Sequence, residues 1–167
     1  MRSALSYILL ALCTAVCGCS APSAQPPGPG GTAQVVRVVD GDTIRVALPS
    51  GEEPVRYIGI DTPESVEPGS PVECFAKRAS ALNERLVAGE RVRLVRDVEE
   101  RDRYGRLLAY VYRERDGLFV NAELVRRGYA TVATFPPNVA HERDFKRLAS
   151  RARLSGRGLW SECVGAG

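Results

Sequence analysis

Val55-Arg56-Tyr57-Ile58-Gly59-Ile60-Asp61-Thr62-Pro63-Glu64 is a strand-forming run that ends in two carboxylates flanking a threonine and a proline. Val55, Tyr57, Ile58 and Ile60 are strand-type side chains, and Pro63 removes a backbone donor, so the ladder is expected to stop there. Arg56 shares parity with Ile58 and Ile60, which puts its charge on a largely apolar face. A guanidinium is tolerated in such a place when anions lie beside it, either carboxylates or a bound phosphate. Read alone, Asp61-Thr62-Pro63-Glu64 is also a turn or helix-start signal, with proline at a first helical position and glutamate in the first turn.

Upstream, Val35, Val36, Val38 and Val39 predict one strand and Ile44, Val46 and Leu48 a second, with Asp40-Gly41-Asp42 turning between them. Pro49-Ser50-Gly51 then leads into the quoted run as a third strand, giving the start of a meander. Downstream, Ser65 to Val72 is a Pro/Gly-containing loop suited to be a lip beside the carboxylates. Phe75, Ala79, Leu82 and Leu86 recur at helical spacing and Gly89 stops them. Val92 and Leu94 alternate with Arg91, Arg93 and Arg96 in a fourth strand, a charged loop runs from Asp97 to Arg106, and Leu107 to Tyr112 form a fifth. A helix over about Phe119–Arg127, a short extended piece at Ala130–Val132 and a last helix over Glu142–Arg153 complete the pattern, with Trp160 packing back. Five strands with a helix between the third and fourth is the order of an OB-fold barrel. The expected fold class is therefore α+β, a five-stranded OB-fold β-barrel with three α-helices, over residues 34–167. Fold alone does not fix function.

The chain has 167 residues and a formal net charge of +3, which bounds it to one domain with attachments and only permits nucleic-acid binding. Arg2 followed by an apolar run from Ala4 to Val16 reads as a signal peptide, too short for a comfortable membrane span. Its end, Val16-Cys17-Gly18-Cys19-Ser20, resembles a bacterial lipobox with Cys19 lipidated, so residues 1–19 are expected to be the signal. Cleavage after Ala21 or Ala24 without a lipid is the alternative. In either case the protein is exported, as a cell-envelope lipoprotein attached to the membrane by lipid alone or as a secreted protein. Residues 20–33 are a Pro/Gly-rich tether. Cys74 and Cys163 then remain in a compartment where disulfides persist, and pairing is expected, with two free thiols as the alternative.

Asp40, Asp42, Asp61 and Glu64 are carboxylates in two short loops, and Arg56 and Arg106 are arginines near strand ends. Hard divalent cations seek clustered oxygens, which Asp42, Asp61 and the carbonyl of Thr62 can offer. Arginine forks match phosphate oxygens and offset charge that develops in phosphoryl transfer. The set suits hydrolysis of a phosphodiester. His141 is the single histidine and precedes a helix, so histidine-based nucleophilic catalysis is disfavoured.

Asp40-Gly41-Asp42-Thr43, Arg56 with Asp61-Thr62-Pro63-Glu64, and Asp102-Arg103-Tyr104-Gly105-Arg106-Leu107-Leu108-Ala109-Tyr110 resemble the staphylococcal nuclease (thermonuclease) family. Asn121 to Val125 and Gly156 to Trp160 are similar to its later landmarks. The resemblance implies a calcium-dependent nuclease that cuts DNA and RNA to leave 3′-phosphate ends; single strands are expected to be favoured, and a monomer is the default expectation. It implies Asp42, Asp61 and the Thr62 carbonyl as Ca²⁺ ligands with Asp40 behind them, Glu64 orienting or deprotonating water, and Arg56 and Arg106 on the phosphate. Tyr104 and Tyr110 stand in their motif as substrate-binding residues. Where the family usually offers tyrosines, this chain has Thr134-Phe135-Pro136-Pro137, and Phe135 can stack on a base without a hydroxyl to reach a phosphate. The reading from another class is a non-catalytic OB-fold nucleic-acid-binding module, which the presence of all five of Asp42, Arg56, Asp61, Glu64 and Arg106 disfavours.

Overall fold

The computed structural model describes residues 30–64 and 73–163. The expected signal peptide with Cys19, most of the expected tether and the expected loop over 65–72 lie outside these residues. The strands are β1 (Thr32–Val38), β2 (Thr43–Leu48), β3 (Gly51–Tyr57), β4 (Gly59–Asp61), β5 (Arg91–Val95), β6 (Leu107–Arg113) and β7 (Thr131–Ala133). The helices are α1 (Ala76–Val87), α2 (Val120–Arg127), α3 (Glu142–Leu154) and α4 (Leu159–Glu162).

Five strands close into a barrel in the order β1-β2-β3-β6-β5, which is the OB fold expected. Val35, Ile44, Val46, Val55, Tyr57, Val92, Leu94, Leu107, Ala109 and Val111 are all buried in the core, and they alternate along their strands as a two-residue period requires. β1 begins at Thr32, so the last two residues read as tether belong to the barrel. Thr32 and Ala33 pair with Arg93 and Val92 of β5, and this pairing removes the sheet edges that β1 and β5 would otherwise expose. β3 and β6 run parallel, with Arg56 beside Leu108. A parallel pair needs a long crossover, here supplied by α1 and β5.

The stretch from Val55 to Asp61 is two strands rather than one. Gly59 has φ of 80°, the left-handed region, and a Cβ there would lie 2.6 Å from Cε2 of Phe145. Glycine lets the chain turn out of the barrel wall against α3. β4 then pairs with β7, Ile60 opposite Val132. The parity argument therefore holds only as far as Tyr57. Val55 and Tyr57 point into the barrel, while Arg56 emerges on the other side of β3 between Thr43 and Leu108.

α1 packs on β1 and α2, and α2 packs on α3 and β6. α4 is a fourth, one-turn helix beyond the three expected, fixed where the Leu159 amide donates to the Gly128 carbonyl at 2.9 Å. Trp160 at its start lies beside Arg153, whose guanidinium carbon is 5.4 Å from the ring centroid. Cys74 and Cys163 form a disulfide that ties the approach to α1 to the end of α4 across 89 residues of sequence. Closing a loop of that length stabilises the fold by roughly 4–5 kcal/mol on a chain-entropy account.

Candidate active site

Two tight turns are brought into contact by the barrel. In the first, between β1 and β2, the Asp42 amide donates to Oδ1 of Asp40 at 3.0 Å, a side-chain turn of the kind aspartate favours. Gly41 sits so close to the second turn that a Cβ would lie 2.5 Å from Oγ1 of Thr62. The Asp61–Thr62 segment leaving β4 therefore rests directly on the Asp40–Asp42 backbone.

Asp42 is the hub. Its Oδ2 accepts from the Thr62 amide at 2.8 Å and the Thr62 hydroxyl at 3.0 Å, and its Oδ1 accepts from the Thr43 hydroxyl at 3.2 Å. Nη1 of Arg56 forms an ion pair with the same Oδ2, and Nη2 of Arg56 meets Oδ1 of Asp61 at 2.5 Å. One guanidinium thus spans two carboxylates from two loops. Burial raises the Asp42 carboxyl above its ordinary value, Arg56 opposes that, and Asp40 adds to it. For Arg56, burial works against the charged form, but Asp42 and Asp61 outweigh it and its pKa rises, so the guanidinium stays charged. Formally, Asp40, Asp42 and Asp61 bring three negative charges against one positive charge on Arg56. The imbalance matches a divalent cation in sign and size.

The turn is held from below by Asn83 of α1. Asn83 Nδ2 donates to the Asp40 carbonyl at 2.9 Å, and its Oδ1 accepts from the Tyr57 hydroxyl at 2.9 Å. Sequence reading passed over this residue, although it falls on the Ala79, Leu82, Leu86 stripe of α1, where a polar side chain must find buried partners.

Arg106 is one residue before β6 and, by register, two before the partner of Arg56. The two arginines therefore share one side of the wall, with Cα atoms about 8 Å apart from strand spacing and rise. Nε of Arg106 donates to Oδ2 of Asp102 at 2.7 Å, and Oδ1 of Asp102 accepts the Tyr104 and Arg106 amides at 2.9 and 3.0 Å. Asp102 thus builds the turn that presents both. Tyr104 is 68% exposed and lies beside Arg103 and Arg106, with guanidinium carbons 4.8 and 5.5 Å from its ring. Phe135 is 76% exposed. Its loop is tied to the charged loop by Asn138, which exchanges hydrogen bonds of 2.8 and 2.9 Å with the backbone of Glu99.

Tyr110 is a correction. It is 1% exposed, its hydroxyl donates to Oδ2 of Asp97 at 2.8 Å, and its ring packs against Phe119, His141 and Phe145. The helices cover this part of β6, so the ring is core and closed to a ligand. His141 is likewise structural, the residue before α3, with its ring in the same aromatic cluster.

Glu64 is exposed at the end of the second turn. Its amide donates to Oε2 of Glu73 at 3.0 Å, and the Glu73 amide donates to its carbonyl at 3.1 Å. An open cavity of about 430 Å³ adjoins this point, lined by Asp61, Thr62, Pro63, Glu73, Cys74, Thr131, Leu159 and Cys163. Among the described residues no group of three or more His, Cys, Asp or Glu side chains is arranged to hold a metal unaided.

An OB-fold barrel with acidic turns at one point of its wall and two arginines beside them belongs to a defined class of small α+β proteins. Residues 54–162 match the staphylococcal nuclease homologue family. The chain is 37% identical over 130 residues to the thermonuclease of Staphylococcus hyicus, covering 78% of this chain and 76% of that protein. It is 39% identical over 126 residues to the thermonuclease of Staphylococcus intermedius, covering 75% and 74%. It is 41% identical over 128 residues to the SPbeta prophage-derived endonuclease YokF of Bacillus subtilis (strain 168), covering 75% of this chain and 43% of that protein. The chain belongs to the staphylococcal nuclease family.

Proposed function

We propose that this protein is a calcium-dependent nuclease that hydrolyses phosphodiester bonds of DNA and RNA to leave 3′-phosphate ends. The observation that carries the reading is the Asp42–Arg56–Asp61 cluster, with Arg106 on the same side of the wall. Family membership and nuclease relatives support it.

The donor set fits a hard cation. Asp42 and Asp61 converge on one guanidinium, and Thr62, next to Asp61 in sequence, is held to Asp42 through its amide and hydroxyl, so its carbonyl would be the third oxygen offered beside the two carboxylates. Water and a substrate phosphate complete the six to eight oxygens that Ca²⁺ takes. Asp42, Asp61 and the Thr62 carbonyl would hold the ion, with Asp40 behind Asp42. A bound divalent cation supplies Lewis-acid compensation of charge on the phosphate.

The side chains do the rest. Arg56 uses two of its five N–H donors on Asp42 and Asp61, which leaves donors for a phosphate oxygen. Arg106 is anchored through Nε to Asp102, and its remaining nitrogens would serve the same phosphate. Together they stabilise the trigonal-bipyramidal arrangement as water adds to phosphorus and the bond to the 5′ oxygen breaks. Glu64 orients that water or takes its proton. Tyr104 and Phe135, both open to solvent, stack on bases, which favours single strands. The protein acts as an exported monomer, tethered by lipid at Cys19 or secreted, and its disulfide suits such a compartment.

Digestion of heat-denatured DNA and of RNA with calcium or with a chelator, followed by end-group analysis, tests the reading. Chelator-sensitive cleavage to 3′-phosphates is expected. Binding without cleavage under calcium overturns it in favour of a binding module.

A further inference from the structure

Glu64 has to be aimed, yet it lies past Pro63, where the β4 ladder has ended. Glu73 holds its backbone in the described structure. The two residues exchange backbone and side-chain bonds of 3.0 and 3.1 Å, which pin residue 64 against residue 73. Glu73 is in turn next to Cys74, whose sulfur is bridged to Cys163 at the end of α4. The disulfide and Glu73 border the same region as the turn that precedes Glu64, because Asp61, Thr62, Pro63, Glu73, Cys74 and Cys163 line the same cavity. The following residue, Phe75, has φ of 72°, an uncommon conformation for a non-glycine residue that persists only where its neighbours enforce it. The bridge on one side and the Tyr129 ring, 4.8 Å away, on the other do so.

We propose that Glu73 is a positioning residue for Glu64, and that the Cys74–Cys163 bridge fixes Glu73, so that the site is fully assembled only in the oxidised protein. The inference rests on the nuclease reading above and on Glu64 acting there. Its consequence is a nuclease that is weak in a reducing compartment and gains full turnover where disulfides form.

The test uses the exported chain with its bridge intact and steady-state digestion of denatured DNA in calcium. Glu64→Gln is assayed first, and a variant with near-parent turnover would overturn the nuclease role of Glu64 itself. With Glu64→Gln inactive, Glu73→Ala is expected to lower kcat about 10- to 100-fold, the scale of a misplaced catalytic group, with KM and thermal midpoint little changed. Glu73→Gln should recover most of that loss, because its amide oxygen still accepts the Glu64 N–H. Hydrogen exchange at the Glu64 amide should be slow in the parent and fast in Glu73→Ala. The paired variant Cys74→Ser/Cys163→Ser should lower kcat to a similar degree, and adding Glu73→Ala to it should cost nothing further. If that variant melts below the assay temperature, the cycle is run in trimethylamine N-oxide, which favours the folded state. Unchanged kcat in Glu73→Ala, a Glu73→Gln variant as poor as Glu73→Ala, or fully additive losses would overturn the proposal.

Discussion

Replacing Arg56 by methionine keeps the aliphatic stem and removes the charge that joins two loops. The Asp42 side chain is 6% exposed and that of Arg56 16%, so this is a buried pair; the Asp61 side chain is 51% exposed and can turn to water. Breaking a buried pair by deleting one partner costs about 3–5 kcal/mol, because the survivor is left charged and desolvated. Asp42 keeps three hydrogen bonds, from the Thr62 amide, the Thr62 hydroxyl and the Thr43 hydroxyl, so the low end applies. The expected loss is about 3 kcal/mol in chelator. At a urea slope of about 2 kcal/mol per molar, the unfolding midpoint should fall by roughly 1.5 M. The same change removes a positive charge from the proposed cation site, so on that reading calcium should stabilise the variant more than the parent by about 1 kcal/mol or more. Urea titrations of both proteins, with and without calcium, measure all four values. A loss below about 1 kcal/mol in chelator would show that Asp42 does not lean on Arg56. An equal calcium gain in both would show that these carboxylates do not bind the ion. Activity in saturating calcium should drop by about 10²–10³, since a charge-stabilising donor is gone. Arg56→Lys should lie between, because a single ammonium cannot fork across two carboxylates.

Asn83→Leu strips the Asp40 carbonyl and the Tyr57 hydroxyl of a buried partner each, and should cost about 2–4 kcal/mol by chemical denaturation. A neutral result would remove Asn83 from the support of the turn. Tyr110→Phe should lose about 1 kcal/mol of stability with KM unchanged, since Asp97 keeps the Ala140 amide at 3.1 Å; a large KM rise at parent stability would put Tyr110 back on the substrate surface. Gly59→Ala should cost several kcal/mol, from the positive φ and the 2.6 Å approach to Phe145, and adding Phe145→Leu should recover part of it. The Asp116 carboxyl is held down to about 2 by its hydrogen bonds from Arg113 and by the Leu118 amide. Because the folded value lies below the unfolded 3.8, this pair contributes stability above 3.8 that is lost as pH falls toward 2. NMR titration should find Asp116 near 2 in the parent and back toward the ordinary range in Arg113→Ala.

The strands of the barrel were legible because Val35, Ile44, Val46, Val92 and Leu94 alternate cleanly, and α1 because its apolar residues recur at helical spacing. Arg56 beside carboxylates was legible too, from the acidic turns that precede and follow its strand, although the apolar face it was to share with Ile58 and Ile60 is broken at Gly59. The turn at Gly59 was not. Ile58-Gly59-Ile60 reads locally as continuing strand, and what forbids it is Phe145, brought in from α3 only by the tertiary fold. Tyr110 was misread for a related reason. Local sequence shows a tyrosine in the outward-facing register of β6, but Phe119, His141 and Phe145 cover that side of the wall, so both parities of β6 are buried there. Glu73 was invisible because its partnership with Glu64 spans a loop with no periodicity to read.

Why the two acidic turns sit so near each other is answered by what they share. A buried carboxylate is tolerated when its charge is compensated, and Asp42 draws on Thr43, Thr62 and Arg56 together. Yet Asp40 and Asp61 add further negative charge where the chain supplies one guanidinium. A cluster selected only for stability would replace one of these aspartates with a neutral residue, since apolar or neutral substitutes for buried charges are often neutral or stabilising. Keeping all three makes the site cost stability in isolation and favours occupation by something positive. Arg56 then has two duties that compete. On the proposed reading it neutralises Asp42 and Asp61 when no cation is bound, and it would be free to turn toward a phosphate when these carboxylates hold one. Binding of metal and of nucleic acid should therefore be mutually reinforcing at this one side chain. In Arg56→Met, the calcium affinity measured with and without a mononucleotide phosphate should differ by less than it does in the parent, the remainder being what direct contact of phosphate with the ion supplies; an undiminished difference would remove Arg56 from the coupling.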